Sequence, residues 1–312
     1  MRLRFSPWTS VVVLSAVCAL AIWGLLAYRN RSGWSPAEMA LALPHENAIL
    51  IYADLNAIRS AGLLTAIAGT KSVEELDYRK FVEESGFDYK SDLDRVAVAV
   101  VDRSRYAVAV GRFNWLKIKQ YALQSGARCI NSVCEVKGNP LDNLTSFYPL
   151  QDSAMAVASS PNEGGAHMIS GRKSGADARS WPSAPVWIRV PGSTWRDPTK
   201  MPTGIKLFAS ALAPSKHTDF TIEPEGMGKQ LALRMRLYCD SPQDAARIRQ
   251  QLDDATALLR KMLARDTLSP KPADLAGLLI KGSFQIEEGT RVTGHWPLEM
   301  ALVQAIADGS VE

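Results

Sequence analysis

The chain has 312 residues, 46% of them hydrophobic and 22% charged, a balance that excludes intrinsic disorder, a collagenous repeat and a disulfide-dense miniprotein. Its formal charge of +4 sits wholly in the first 31 residues, where Arg2, Arg4, Arg29 and Arg31 have no acidic counterpart. The remainder is neutral and lacks the broad basic surface that phosphate neutralisation requires, which argues against nucleic acid as a partner.

The run from Trp8 to Tyr28 is 21 residues without a charge, bracketed by the four arginines. As a helix it would reach about 32 Å, close to the roughly 30 Å of a bilayer's hydrocarbon core. Trp8, Trp23 and Tyr28 fall where interfacial aromatic belts sit. A cleaved signal peptide is the rival reading, with Ala19-Leu20-Ala21 as its small-x-small site, but Ile22, Trp23, Leu25 and Leu26 carry the apolar run past it. The segment 1–31 is therefore expected to be an uncleaved membrane anchor, followed by a polar tether over 32–42.

Beyond Leu43-Pro44 the pattern becomes periodic. Ala48–Ala53 reads as a strand, with Asp54 capping a helix that runs through Ile58, Leu63 and Ile67 to Gly69. Ser72 and Glu75 form a capping box for a helix carrying Tyr78 and Phe81 and ending at Gly86. Arg95–Asp102 and Arg105–Arg112 read as a strand pair, and Asn114 caps a helix with Trp115, Ile118 and Ala122 that stops at Gly126.

Cys129 and Cys134 flank a four-residue turn between two arms of a tight hairpin, and a bridge there requires an oxidising compartment. Cysteine placement decides the orientation that the nearly balanced flanking arginines leave open: the body lies outside the cytoplasm. Cys239 falls on the apolar side of a strand with Leu231, Leu233, Met235 and Leu237 and reads as a buried thiol. Strands near Ser146–Leu150 and Ala154–Ala158 complete a first half over 43–160.

A connecting segment over 161–185, rich in Gly, Ser and Pro, leads to a second half over 186–312. This half opens with a strand at Val186–Val190 and a helix near Thr199–Ala213. A strand pair at Phe220–Glu223 and Gln230–Cys239 follows, then a long helix opened by Ser241-Pro242 with Ile248, Leu252, Ala255 and Leu259 on one face. Strands at Ile280–Ile286 and Arg291–Trp296 and a closing helix from Pro297 to Asp308 end it. The same order occurring twice predicts an α+β fold: an N-terminal transmembrane helix followed by two similar antiparallel sheet-plus-helix halves, with one larger irregular α+β domain as the alternative.

The four histidines, His45, His167, His217 and His295, lie in no HxH, HExxH or Cys/His cluster, and phosphate-loop, dinucleotide and nucleophile-elbow motifs are missing. Asp88, Asp92 and Asp94 lack the Gly and Glu of a calcium loop and read as a solvated turn. No catalytic residue, cofactor or metal site is assigned. In the proline-rich stretch from Trp181 to Pro202, Trp181 and Trp195 form a candidate contact surface, weighed against simple core packing.

The span, Leu43-Pro44-x-x-x-Ala48, and Phe81-Val82-x-x-x-Gly86-Phe87-Asp88 leading through Asp92-Leu93-Asp94 into a strand pair resemble uncharacterised bacterial envelope proteins with one N-terminal span and repeated α+β halves. The resemblance brings no catalytic residues. The expected protein is a single-pass protein of the inner membrane, held there by its N-terminal helix, with a large periplasmic domain. It would bind or scaffold, with a protein partner in the envelope. The competing readings are an anchored hydrolase with dispersed catalytic residues and a small-ligand or lipid-binding domain.

Overall fold

A computed structural model describes residues 33–64, 76–137, 143–171, 180–197, 201, 203–225, 230–265 and 273–307. In the first part of the chain the helices are α1 Pro36–Ala42, α2 Leu55–Ser60, α3 Leu76–Ser85, α4 Tyr89–Asp92 and α5 Trp115–Gln124. Its strands are β1 Ile49–Asp54, β2 Leu93–Val101, β3 Ser104–Gly111, β4 Arg128–Ile130, β5 Val133–Lys137, β6 Leu144–Gln151 and β7 Ala154–Ser160, with a 3-10 turn at Gly165–Met168. The second part holds β8 Val186–Pro191, α6 Gly192–Trp195, α7 Thr203–Leu212, β9 His217–Glu225 and β10 Gln230–Tyr238. Then come α8 Pro242–Arg265, α9 Leu275–Leu279, β11 Ser283–Glu287, β12 Arg291–Leu298 and α10 Met300–Ala307.

The strands form one 12-stranded sheet in the order β11-β12-β10-β9-β8-β1-β2-β3-β7-β6-β5-β4, with every pairing antiparallel. Outward from the β1–β8 pair the order reads alike on both sides: β1-β2-β3-β7-β6 one way and β8-β9-β10-β12-β11 the other. The fold is thus α+β with one large antiparallel sheet, and both runs meet in a single ladder where Tyr52 lies opposite Trp187.

Directly paired residues share a face of the sheet, so the register gives the composition of each face. One face carries Ile51, Ile188, Phe220 and Met235 in a row, and α7 and α8 pack on it. Along α8 the buried residues Ile248, Leu252, Ala255 and Leu259 recur at helical spacing and share one core with Met235, Leu237 and Val292. The opposite face changes character at the β1–β8 junction. In the first part it is small and apolar, with Ala97, Val108 and Ala156 in one row and Ala99 and Ala158 in the next, all at most 1% exposed. Side chains that small let α1 and the 3-10 turn approach closely, and both pack there. Beyond Trp187 the same row continues as Thr221, Arg234, His295 and Ser283, a polar face that no helix among the described residues covers.

The structure departs from the sequence reading in several places. Residues 36–42, expected to be tether, form α1, in which Met39 and Ala40 are fully buried. The reason is compositional: Pro at the first helical position followed by Ala, Met and Leu is helix-forming and apolar enough to dock. The helix after Asp54 is shorter than expected, ending at Ser60 before Gly62 at φ +72°. Its proposed continuation through Ile67 to Gly69 and the Ser72–Glu75 capping box lie outside the described residues. The closing helix begins at Met300, because Pro297 stays in β12 opposite Ala232. Among the described residues no helix is long and apolar enough to cross a membrane; the run from Trp8 to Tyr28 lies outside them.

Where β8 turns into α6, a Cβ on Gly192 would stand 1.8 Å from the Ser215 carbonyl oxygen, and the Gly192 N–H already donates to Lys216 O. The obstacle is backbone, so it cannot rotate away. Gly192→Ala is expected to destabilise by about 1–3 kcal/mol, whereas Gly171→Ala, with nothing within 4 Å, leaves stability unchanged. Thermal unfolding of the two variants side by side checks this.

Candidate binding site

Asn114 caps α5 by accepting the Lys117 N–H at 3.2 Å, and Gly126, at φ +83°, ends it with its N–H donated to Leu123 O. That abrupt stop returns the chain into the β4–β5 hairpin, whose turn carries Asn131 at φ +54°. Cys129 and Cys134 are directly opposed in this hairpin and joined by a disulfide, as the spacing predicted. The cross-link staples β4 to β5 at the edge of the sheet, and Cys134 is buried against Ala122 of α5 and Ala127.

Between α3, α5 and the sheet lies a cavity of about 210 Å³. Val136, Phe147, Met155 and Val157 from β5, β6 and β7 make its floor. Phe81, Phe87, Ile118 and Tyr121 make its walls, with Ser125 and Ala122 completing the α5 side. The lining turns no polar atom inward. The floor residues remain only half-buried beneath the helices, which shows that α3 and α5 stand off the sheet instead of closing on it. Such a cavity can hold hydrocarbon but offers nothing to move a proton or attack a bond. Strands near Ser146–Leu150 and Ala154–Ala158, which carry most of the floor, were visible in the sequence; the gap above them was not, since a strand pattern does not report how far its cover sits.

The tryptophans of the proline-rich stretch separate into different roles. Trp195 is 8% exposed and packs edge-on to Phe220 at 6.1 Å, so it is a core residue and not part of a contact surface. Adjoining Pro191 and Gly192, it closes α6 over β8, where an apolar ring gains more from burial than from solvent. Trp181 stays half-buried, its ring 5.7 Å from that of Trp187 and with the Arg189 guanidinium carbon 4.3 Å from its centroid. Arg189 grips Asp219 with two bonds of 2.6 and 2.8 Å and also donates to Ser180 O.

His217 lies at the edge of this pair, 4.0 Å from Asp219. Burial holds its imidazole below the usual histidine range, and the nearby Arg189 charge adds to the effect against the opposing pull of Asp219. The folded state therefore keeps His217 neutral, while the unfolded chain protonates near the ordinary value of about 6.5. Its contribution to stability is complete above that pH and is lost on acidification towards the lower folded-state value. Urea midpoints at about pH 7.5 and 5.5 should differ less for His217→Gln than for the parent chain.

The other histidines are engaged singly. His45 Nδ1 lies 2.9 Å from Leu43 O, and His167 packs against Tyr148 with ring centroids 5.6 Å apart. His295 Nε2 is 3.1 Å from Glu225 Oε2 on the open polar face, opposite Ser283 in the ladder. Arg234 and Arg236 interleave with Glu223 and Glu225 there, so His295 borders an ion-pair lattice that lines a polar pocket of about 360 Å³.

The acidic turn is also absorbed structurally. Asp88 caps α4 by accepting the Lys90 N–H and also accepts from the Tyr78 hydroxyl. Asp92 accepts from the Asp88 N–H and from Arg112. Burial alone would raise the Asp92 carboxyl; these donors outweigh it and hold the group below its ordinary range. Cys239 is a free, half-buried thiol, pushed up by burial and by Asp244 and Asp240.

No protein-family description and no curated protein matches this chain. Among solved structures it is similar to TP0453. Crystal form III of that protein is 9% identical over 83% of this chain and 94% of the other, with a TM-score of 0.42. Form I is 10% identical over 89% and 99%, with a TM-score of 0.40.

Proposed function

We propose that the protein is a single-pass inner-membrane protein whose folded body lies in the periplasm and acts by binding or scaffolding. On this reading the body is a duplicated unit, one half continuing into the other through β1 and β8. The leader from Trp8 to Tyr28 is the anchor, and Trp181 is the tryptophan of the proline-rich stretch left to meet a partner in the envelope. The observation that carries the proposal is the Cys129–Cys134 disulfide. A cytoplasmic protein would hold these thiols reduced, so the cross-link supports a body on the oxidising side of the membrane.

Alkylation in intact cells tests it. Cys129 and Cys134 should stay unmodified under denaturing alkylation until reductant is added, while Cys239 reacts once the chain is unfolded. Full modification of all three without reductant, together with protection of the body from protease in spheroplasts, would overturn the proposal.

A second reading, a domain that binds a small apolar ligand, is favoured by one observation: the cavity beneath α5. It is compatible with the first and concerns what the body binds.

A further inference from the structure

The geometry points to the cavity between α3, α5 and strands β5–β7 as a binding site for one unbranched hydrocarbon chain of an anionic amphiphile, with the head group left at the mouth. With no inward-facing polar atom, the lining would leave any amide, sugar or nucleotide without a hydrogen-bond partner after desolvation. Its volume of about 210 Å³ exceeds the roughly 150 Å³ that accommodates benzene and falls short of the roughly 300 Å³ at which drug-sized sites begin. A single flexible chain fits that interval. The half-buried Phe147, Met155 and Val157 show that the cavity is open at one side, and Ser125, which is exposed, stands on its rim. An anionic head group fits the α5 side of the cavity, where the helix contains Lys117 and Lys119 and no acidic residue; the carboxylates of Glu83 and Glu84 belong to α3. A Cβ on Gly86, the residue before the wall residue Phe87, would lie 3.5 Å from the Lys117 ammonium, which places that charge beside one wall of the cavity.

The assignment rests on reading the protein as a binder but not on its compartment. A cytoplasmic location would overturn the localisation and leave this site standing, and failure of the titration below would do the reverse.

The test uses the full chain in phospholipid nanodiscs, labelled at its methionine methyls and titrated with hexanoate, octanoate and decanoate at known free aqueous concentration. The Met155 methyl resonance should shift saturably while those of Met168 and Met300, both exposed, stay still. The half-saturating concentration should fall about fourfold for each added methylene until the cavity is full, then level off. Ser125→Trp, on the rim and outside the core, should weaken decanoate at least about tenfold, and Ala122→Met, inside, should shorten the longest chain accepted. An unmoved Met155 resonance, or equal affinity in Ser125→Trp with an intact disulfide, overturns the assignment. Decanoate bearing a diazirine and phosphatidylglycerol bearing one in its acyl chain then separate a free fatty acid from a membrane lipid as the source. Cross-linking of the β6–β7 peptide in either arm supports the site, and cross-linking confined to the leader in both arms overturns it.

Discussion

Replacing Trp187 by alanine is expected to remove about 3–5 kcal/mol of stability, a large share of the roughly 5–15 kcal/mol that a folded domain of ordinary stability possesses. Trp187 is fully buried, and its ring stacks on Tyr52 with centroids 5.5 Å apart and 17° between planes. It stands opposite Tyr52 in the ladder where the two runs of strands join, so the hole left by alanine opens at the seam of the sheet. Packing of that kind also pushes the Tyr52 hydroxyl up to about 12, through burial first and Asp54 second. The indole N–H finds no hydrogen-bond acceptor among the described residues. Trp187→Phe therefore forfeits packing volume but no hydrogen bond, and should cost clearly less than alanine. Urea denaturation decides the matter: a lowered midpoint at unchanged slope is the expected result for Trp187→Ala. Parent-like midpoints in both variants would show that the junction carries little of the stability.

Much of this architecture was legible because the devices that start and stop its elements are local. Asp54 and Asn114 cap helices through their own side chains, and Gly86 and Gly126 end helices because each adopts a positive φ. The Cys129–Cys134 hairpin followed from spacing alone. The α+β class and the succession of antiparallel strands and helices were readable for the same reason, since each step is signalled within a dozen residues. What stayed hidden depends on contacts between residues far apart in the chain. Pro36–Ala42 looked like a tether until β1 and the alanines of β2 supplied a face flat enough to bury it. Trp195 could be read as a partner contact or as core, and Phe220, from β9, decides it by packing against the ring. The candidate site belongs to the second group: its residues are ordinary core types, and only their separation across α3, α5 and the sheet makes a cavity. The bidentate pairing of Arg189 with Asp219 was equally invisible, because it joins strands whose register the sequence does not state.

That pair supplies the other large expected effect. The Arg189 and Asp219 side chains are only 14% and 6% exposed, so neither charge can recover its hydration if the other is removed. Asp219→Ala leaves the guanidinium with Ser180 O and the face of Trp181 as its remaining described contacts, and should cost about 3–5 kcal/mol. Arg189→Met exposes Asp219 to the same loss, relieved in part by His217, whose imidazole lies 4.0 Å away and should become easier to protonate. The double variant Arg189→Met/Asp219→Leu removes both buried charges and should recover most of the stability, because a well-packed apolar pair of similar volume avoids the desolvation that the ion pair only offsets. Non-additivity is thus the signature, and a double-mutant cycle measured in urea reads it directly. The coupling should also change little between low and high salt, since screening acts weakly on a pair withdrawn from solvent. Additive losses, or a coupling that collapses in salt, would mean that the two side chains pair loosely at the surface and that the seam between β8 and β9 is held by its backbone ladder and the packing of Trp187 alone.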